Sequence, residues 1–162
     1  MHAARAVRRA VKLRTLISIA VLVTLLDQWS KWWVWTHFRL GETRPALSTL
    51  LSWTYLHNTG GAFSILNGAR WFFLTAGVAI SLMLIRALPK MARGHPAPAL
   101  AYALILGGAI GNLIDRGLYG YVVDFIDFHW WPVFNLADSA ITVGIGLLAL
   151  SILLGKDHQE PR

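Results

Sequence analysis

The sequence contains no cysteine among its 162 residues. This absence excludes disulfide frameworks, thiol nucleophiles, and zinc or iron–sulfur sites ligated by cysteine. Charged residues are also scarce, at 14% of the chain, whereas 56% of the residues are apolar and the mean hydropathy is +0.51. A water-soluble domain has about 45–50% apolar and about 25% charged residues. The composition therefore indicates that residues 1–162 form a single integral membrane domain.

The sequence also lacks a Gly-x-Ser-x-Gly elbow, a P-loop and a dinucleotide-binding fingerprint. It contains instead four apolar stretches near the length of about 20 residues that a helix needs to cross a bilayer core about 30 Å thick. The predicted spans are about residues 15–35, 71–88, 97–114 and 133–154. No small-x-small cleavage pattern follows the first stretch, so we expect this span to remain uncleaved. The predicted fold is an all-α membrane bundle of four transmembrane helices.

The net charge is +7, and the positive charges are distributed unevenly along the chain. Lys and Arg collect in the N-terminal arm, between the second and third spans, and in the tail: Arg5, Arg8, Arg9, Lys12, Arg14, Arg86, Lys90, Arg93, Lys156 and Arg162. Short cytoplasmic segments have this bias, so both termini are predicted to be cytoplasmic. The basic arm is then a topology signal and a contact for membrane lipid, and nucleic acid is not an expected partner.

Two segments on the outer side are predicted to lie at the membrane surface. In the outer loop of about residues 39–70, the stretch 52–57 alternates and is rich in β-forming residues, and a turn signal follows it at 58–61. This loop is therefore expected to be β-rich. The stretch 121–131 is amphipathic, and we expect it to form an interfacial loop. All eight tryptophans fall near the outer ends of the spans or in the outer loops, as in an aromatic belt.

Ionisable groups in a span are costly and usually face a partner or a cavity. Five acids lie in or beside the outer ends of the spans: Asp27, Asp115, Asp124, Asp127 and Asp138. The spacing of Asp27 and Lys31 predicts an i,i+4 ion pair on the first span. Asn112, Asp115 and Arg116 are expected to share one face of the third span as a hydrogen-bonded cluster. The run 107–111 has small residues at the spacing that allows close helix packing.

Asp124 and Asp138 differ from the other acids, because no Lys or Arg occurs between Arg116 and Lys156. Two carboxyl groups brought together without a cation share a proton and titrate as a pair. Aspartic proteolysis requires such a pair, in which one carboxylate is a general base and the other carboxyl group a general acid. The same acids are also compatible with a small transporter or channel subunit that relays protons or cations, or with solvated acids at the interface.

The residues suggest two other kinds of site, a metal site and a Ser/Lys dyad. Asp124, Asp127 and His129 suggest metal ligands, but zinc prefers more nitrogen ligands, so no metal is expected. Lys31 is the only lysine on the outer side and suggests a Ser/Lys dyad. Ser30 adjoins it and faces away on a helix, whereas Ser64 is the remaining candidate nucleophile.

Five ordered blocks carry a family resemblance over about residues 15–154. They are DQWSK at 27–31, NTGGAFS at 58–64, GGAIGNLIDR at 107–116, VVDF at 122–125 and FNLADS at 134–139. In this order, they resemble the signature blocks of bacterial lipoprotein signal peptidase, also called signal peptidase II.

The resemblance implies an aspartic protease of the bacterial inner membrane, with a β-rich periplasmic cradle and an active site near the outer leaflet. It implies substrates that are diacylglyceryl-modified prolipoproteins, cut just before the lipidated cysteine, and inhibition by globomycin. The catalytic pair falls on Asp124 and Asp138. Supporting residues fall on Asp27, Lys31, Asn58, Asn112, Asp115, Arg116 and Asn135. Gly60 and Phe63 belong to the loop expected to close over the site. No cofactor is expected, and the chain is expected to be a monomer.

Overall fold

Four long helices dominate the computed structural model, which describes residues 10–48, 50–60 and 70–156. They are α1 (Leu13–His37), α2 (Arg70–Ala92), α3 (Pro96–Leu118) and α4 (Leu136–Lys156). Each is long and apolar enough to cross a membrane. The predicted bundle of four spanning helices is therefore confirmed.

The helix boundaries differ from the predicted ones where polar or cyclic residues interrupt the hydropathy. α4 begins at Leu136 rather than near residue 133, because Phe134 pairs with a strand and Asn135 caps the helix. α2 extends through Pro89 to Ala92. α3 continues to Leu118, past the charged residues at which the predicted span stops. Apolar content locates a span, but capping and pairing set the ends of its helix.

α3 is the central helix and packs against the other three. A Cβ on Gly107 would lie 2.6 Å from the carbonyl oxygen of Ala20 in α1. A Cβ on Gly108 would collide with the carbonyl oxygen of Ala137 in α4. The small residues of α3 thus allow two helices to approach its backbone from different sides, as their spacing predicts.

The bundle has a core of Leu and Ala side chains and also exposes many apolar side chains on its outer surfaces. Its main core consists of Leu16, Ala20, Leu84, Leu88, Ala92, Ala99, Ala103 and Leu106. The outer surfaces of α1, α2 and α4 expose many Leu, Ile and Val side chains. A water-soluble monomer rarely exposes an apolar surface of that extent, whereas lipid covers it in a bilayer.

A three-stranded antiparallel sheet covers one end of the bundle. Its strands, in the order β1-β2-β3, are β1 (Thr43–Ser48), β2 (Leu51–Asn58) and β3 (Val122–Asp127). β2 contains the strand predicted at 52–57. The segment 121–131 is more ordered than expected, because residues 122–127 pair with β2 as β3 instead of forming only an interfacial loop.

The sheet is fixed to the bundle by a second apolar cluster at the end where α1 and α3 finish and α2 and α4 begin. This cluster contains Val34, Phe38, Tyr55, Val123 and Phe125. We call this end of the molecule the sheet end. A bulge in β2 between Trp53 and Leu56 lets the consecutive residues Thr54 and Tyr55 both be buried. The sheet is thus packed on the bundle.

The close contact between α1 and α3 gives a direct test of the packing. In Gly107→Val, the added side chain meets the α1 backbone and the Cβ of Val23, which would lie 2.8 Å from the new Cβ. We expect overpacking of this kind to lower the free energy of unfolding by about 1–3 kcal/mol, measured by thermal unfolding in detergent. Gly117→Ala on the same helix is the matched control, because no packed neighbour among the described residues lies within 4 Å of a Cβ added there. Equal stability of the two variants would contradict the packing described here.

Candidate active site

The start of α4 places Asp138 at the sheet end. The Oδ1 atom of Asn135 accepts the backbone N–H of Asp138 at 2.9 Å and so caps the helix. The next free N–H, that of Ala137, donates to Oδ1 of Asp27 in α1 at 2.9 Å. Asp138 therefore lies in the first turn of a helix whose positive end favours a carboxylate.

Asp124 is held in the middle of β3 by two amide side chains. Its Oδ1 atom accepts from Nδ2 of Asn135 at 2.6 Å, and its Oδ2 atom accepts from Nδ2 of Asn58 at 2.8 Å. Asn135 thus contacts Asp124 with one end of its amide and the backbone of Asp138 with the other. The chain makes this return because Phe134 pairs with Ile126 on the free edge of β3.

Asp124 and Asp138 line one pocket of about 450 Å³ at the sheet end. The pocket is formed by β2, α3, β3, the connection to α4, and α4. Its other lining residues are Leu56, His57, Asn58, Asn112, Arg116, Val122, Trp131, Pro132, Val133, Phe134, Ile141 and Thr142. Ile141 and Thr142 lie one helical turn beyond Asp138, toward the middle of the span. The pocket therefore joins the polar sheet end to the apolar bundle.

Burial controls the ionisation of Asp124, which is 2% exposed. Burial is the largest cause that raises the pKa of its carboxyl group, and the charge of Asp138 raises it further. The hydrogen bonds from Asn58 and Asn135 act in the opposite direction, and the net result is a pKa of about 7. The pair can therefore hold a proton near neutral pH, which is the condition for acid–base catalysis by two carboxyl groups.

Beside the pocket, the ammonium group of Lys31 contacts three acceptors. Its Nζ atom lies 2.8 Å from Asp27, 3.0 Å from Asp115 and 3.0 Å from Oδ1 of Asn112. The predicted pair of Asp27 and Lys31 is confirmed, and Asp115 joins it from α3. Because all three N–H bonds of the ammonium group have partners, Lys31 is poorly suited to activate a serine. Ser30 donates to the backbone carbonyl of Asp27 at 2.7 Å.

Asp115 connects this ion cluster to the sheet. Its Oδ2 atom accepts the backbone N–H of Val123 at 3.1 Å, and its Oδ1 atom accepts from Gln28 at 2.8 Å. Gln28 also donates to the carbonyl oxygen of Gly111 at 3.1 Å. Sequence reasoning did not select Gln28, although its position beside Asp27 in an apolar span was a usable signal.

Arg116 lies on the pocket side of α3, so the expectation that Asn112, Asp115 and Arg116 form one cluster is only partly correct. Asp115 turns to α1, whereas Arg116 lines the pocket with Asn112. The guanidinium group donates to the carbonyl oxygen of Gly60 at 3.4 Å and lies 5.2 Å from the ring centre of Phe73. The sequence places no cation near the acid pair, but the fold brings Arg116 to the same pocket.

Asp127 and His129 are not part of the pocket lining. Asp127 accepts from Thr54 at 2.7 Å and from the backbone N–H of His129 at 2.7 Å. His129 Nε2 lies 3.2 Å from the hydroxyl oxygen of Ser52. These contacts hold the turn after β3. Within the ranges that the structure describes, no group of three acidic or histidine side chains is arranged to bind a metal. Phe63 and Ser64 lie outside the described residues.

His57 is a pocket residue that sequence reasoning did not select. Its Nε2 atom lies 2.7 Å from the hydroxyl oxygen of Tyr55, and its ring stacks on Tyr121 with the ring centres 3.7 Å apart. Burial lowers the pKa of His57. Its position next to Asn58 was the available signal. The ring forms an aromatic wall beside the acid pair.

The four helices and the enclosed acid pair define a multi-pass membrane protein with a carboxyl-based polar site. The family model described as Signal peptidase (SPase) II matches residues 19–154. The chain belongs to the signal peptidase II family and is therefore a protease.

Individual relatives and solved structures resemble the chain over most of its length. It is 41% identical to the lipoprotein signal peptidase of Moorella thermoacetica, over 88% of this chain and 97% of that protein. It is 47% identical to that of Shewanella pealeana, over 88% of each chain. A bacterial membrane enzyme solved at 2.3 Å superposes with a TM-score of 0.88 and 33% identity, over 96% of this chain and 98% of that one. A second bacterial membrane enzyme, solved at 1.9 Å, superposes with a TM-score of 0.82 and 35% identity, over 90% of this chain and 97% of that one.

The ion cluster around Lys31 predicts a large effect on stability. Lys31→Met leaves two buried carboxylates, Asp27 and Asp115, without their cation. We expect a loss of about 3–5 kcal/mol in the free energy of unfolding, measured by chemical or thermal unfolding in detergent.

Arg44→Ala is the control for this variant, because it removes an exposed ion pair with Glu42. Exposed pairs contribute little, so we expect only a small change in the same measurement. A similar small change for Lys31→Met would show that the buried cluster does not stabilise the bundle. Lys31→Ala should likewise weaken folding and turnover, since the ammonium group also contacts Asn112, which donates to Asp138.

Proposed function

We propose that the chain is a membrane aspartic endopeptidase that removes signal peptides from diacylglyceryl-modified prolipoproteins by cutting just before the lipidated cysteine. Membership of the signal peptidase II family supports proteolysis, and relatives named lipoprotein signal peptidase support the substrate class. The observation that supports an aspartic protease is that Asp124 and Asp138 line one pocket and are linked through Asn135.

Hydrolysis by this pair needs one water molecule and one proton on the carboxyl groups. One carboxylate removes a proton from water, which attacks the scissile carbonyl carbon, while the protonated carboxyl group donates to the carbonyl oxygen. Collapse of the tetrahedral intermediate breaks the C–N bond and transfers a proton to the leaving amine. A metal ion or a covalent intermediate is not required for this sequence of steps.

Polar residues around the pair are suited to orient the substrate. Arg116 presents a cation to the pocket and can hold a backbone carbonyl or the developing oxyanion. Asn58 and Asn112 fix one oxygen of each catalytic carboxyl group. Gly60 is buried, and its carbonyl oxygen accepts from Arg116 at 3.4 Å. We propose that Phe63, which lies outside the described residues, contributes to substrate binding.

The position of the pocket is suitable for a substrate that carries acyl chains. The polar end contains the acid pair, and the lining continues along α4 to Ile141 and Thr142. Acyl chains lying in the membrane beside α4 would hold the scissile peptide at the height of the carboxyl groups. Binding energy from this remote part of the substrate then serves orientation at the reacting bond.

We further propose that the chain is a single monomeric domain of the bacterial inner membrane, with both termini in the cytoplasm and the site near the outer leaflet. Lys12, Lys90 and Arg93, at the ends of α1 and α2 opposite the sheet, support this orientation. Exposed tryptophans at the sheet end, including Trp29, Trp71 and Trp130, fit the outer interface. Globomycin-type peptides are the expected inhibitors.

The alternative of a transporter or channel subunit has no support from the comparisons. A relay needs ionisable groups through the depth of the bundle. In the described helices, the acids Asp27, Asp115 and Asp138 all lie near the sheet end, and the opposite part of the bundle has an apolar core.

Substitution of either catalytic acid should abolish cleavage. Asp124→Asn and Asp138→Asn each remove one member of the acid–base pair, so we expect turnover to fall at least about 10⁴-fold, the lower range for loss of an essential catalytic group. Cleavage of a diacylglyceryl-modified precursor by purified protein is followed by gel shift, and unfolding temperature confirms that each variant is folded.

Asp127→Asn is the matched control, because this acid lies in the same strand and outside the pocket lining. It should retain turnover within a few-fold of the unmodified protein. Near-normal turnover in a folded Asp124 or Asp138 variant would refute the catalytic pair.

Lipid modification of the precursor should control recognition. A precursor with the same peptide sequence but no diacylglyceryl group is expected to be cleaved at least about tenfold more slowly, since each 1.4 kcal/mol of lost orientation corresponds to a factor of ten. The two precursors are compared at equal detergent concentration. Equal kcat/KM for both would exclude a role for the acyl chains.

A further inference from the structure

An apolar groove of about 490 Å³ lies between α1 and α2, in the half of the bundle opposite the sheet end. It extends along α1 from Leu13 to Leu25, and α2 contributes Ile85, Leu88 and Pro89. None of its lining residues belongs to the pocket that contains the acid pair. The groove is therefore a second, separate concavity of the bundle.

The length of the groove corresponds to one leaflet of a membrane. The distance from Leu13 to Leu25 along α1 is about 18 Å at 1.5 Å per residue, and half of a hydrocarbon core of about 30 Å is about 15 Å. Leu13 is the first residue of α1, and Pro89 lies near the end of α2. The groove thus runs from the membrane surface opposite the sheet to the middle of the bundle.

The groove offers packing contacts to an apolar chain. Ala20, Leu88 and Leu106 form its buried floor, whereas several residues of its rims are exposed. Thr24 is the one polar side chain in the lining, and its hydroxyl group donates to the carbonyl oxygen of Gly107 at 2.9 Å. An unfilled groove would lack dispersion contacts along its whole length, so an extended hydrocarbon chain fits it.

Cations flank the end of the groove that is formed by Leu13 and Pro89. Arg14 lies three residues before Ile17, and Arg86 lies three residues before Pro89, so each is next to a lining residue on its helix surface. Both arginine side chains are exposed, and neither forms an ion pair with a residue in the described ranges. Three further cations lie at the same end of the bundle: Lys12, Lys90 and Arg93. This end of the groove is therefore suited to an anionic group.

We propose that the groove binds one anionic phospholipid, with an acyl chain along the groove and the phosphate group between Arg14 and Arg86. The occupant must be apolar over the length of one leaflet and negatively charged at its surface end, and an anionic phospholipid has both properties. A signal peptide with a basic end would place positive charge beside the same arginines. Lipid binding here does not depend on the proposed endopeptidase activity, and the topology proposed above assigns the lipid to the cytoplasmic leaflet.

The test is native mass spectrometry of the purified full chain in detergent, titrated with phosphatidylglycerol or with phosphatidylcholine that has the same acyl chains. We expect one phosphatidylglycerol molecule to bind at least about fivefold more tightly than phosphatidylcholine, since each Lys or Arg near an anionic lipid contributes about this factor. Arg14→Gln and Arg86→Gln should each weaken phosphatidylglycerol binding about fivefold, and the double variant about thirtyfold.

Arg39→Gln is the matched control, because it removes the same charge from an exposed arginine at the sheet end. It should leave phosphatidylglycerol binding within about twofold, since that end lies more than a Debye length of about 8 Å from the groove opening. Thermal unfolding provides a second measurement. A lipid that binds only the folded state raises the unfolding temperature, so phosphatidylglycerol should stabilise the unmodified protein and the Arg39 variant more than the double variant.

A variant of the groove itself tests the position of the acyl chain. Val21 is 50% exposed on the rim, so the larger ring in Val21→Phe can occupy the groove without repacking the core. We expect binding of both lipids to weaken about fivefold, the effect of about ten lost carbon contacts. Leu22→Phe is the control, because Leu22 is also exposed on α1 but does not line the groove. Unfolding without added lipid confirms that each variant is folded.

Several results would overturn the proposal. Equal affinity for the two lipids would show that the arginines do not select the headgroup, and unchanged phosphatidylglycerol binding in the double arginine variant would show the same. A lipid-free dimer would assign the groove to a second copy of the chain. Displacement of the lipid by a synthetic peptide with a basic end and an apolar stretch would assign it to a signal peptide. Loss of cleavage activity would bear only on the proposed function, because lipid binding is measured directly.

Discussion

The ammonium group of Lys31 is the interaction on which the arrangement of the site depends. It lies between carboxylates from α1 and α3 and also bonds Asn112, which contacts Asp138. Asp27 reaches from the same cluster to the first turn of α4. A buried charge is costly unless it is paired and hydrogen-bonded, so these helices are held in the one arrangement in which every group has its partner.

The same cluster positions the sheet and, with it, the second carboxyl group. Asp115 accepts the backbone N–H of Val123, the residue before Asp124 in β3. The loop beyond β3 then returns through Phe134 to Asn135 and α4. Asp124 and Asp138 therefore reach one pocket through a strand and a helix that are each connected to the ion cluster. This arrangement supports catalysis, because carboxyl groups act together only when their relative position is fixed.

The sequence is sufficient to predict the four spans, the Asp27–Lys31 pair and the strand at 52–57, because hydropathy, helical spacing and β-propensity are local properties. β3 is not predicted as a strand, since its pairing with β2 is a long-range contact. The position of Arg116 in the pocket also depends on how α3 packs, which helical spacing alone does not specify. Family resemblance selects Asn135, but its double role as helix cap and Asp124 donor follows only from the fold.

The central claim is that Asp124 and Asp138 act together on one scissile bond. The most direct measurement is a structure of the protein bound to a lipid-modified precursor analogue with a hydroxyl group in place of the scissile carbonyl. The account predicts that this hydroxyl group lies within hydrogen-bond distance of both carboxyl groups, with the acyl chains along α4 beside Ile141. A hydroxyl group bound to a serine, or in contact with neither Asp124 nor Asp138, would contradict it.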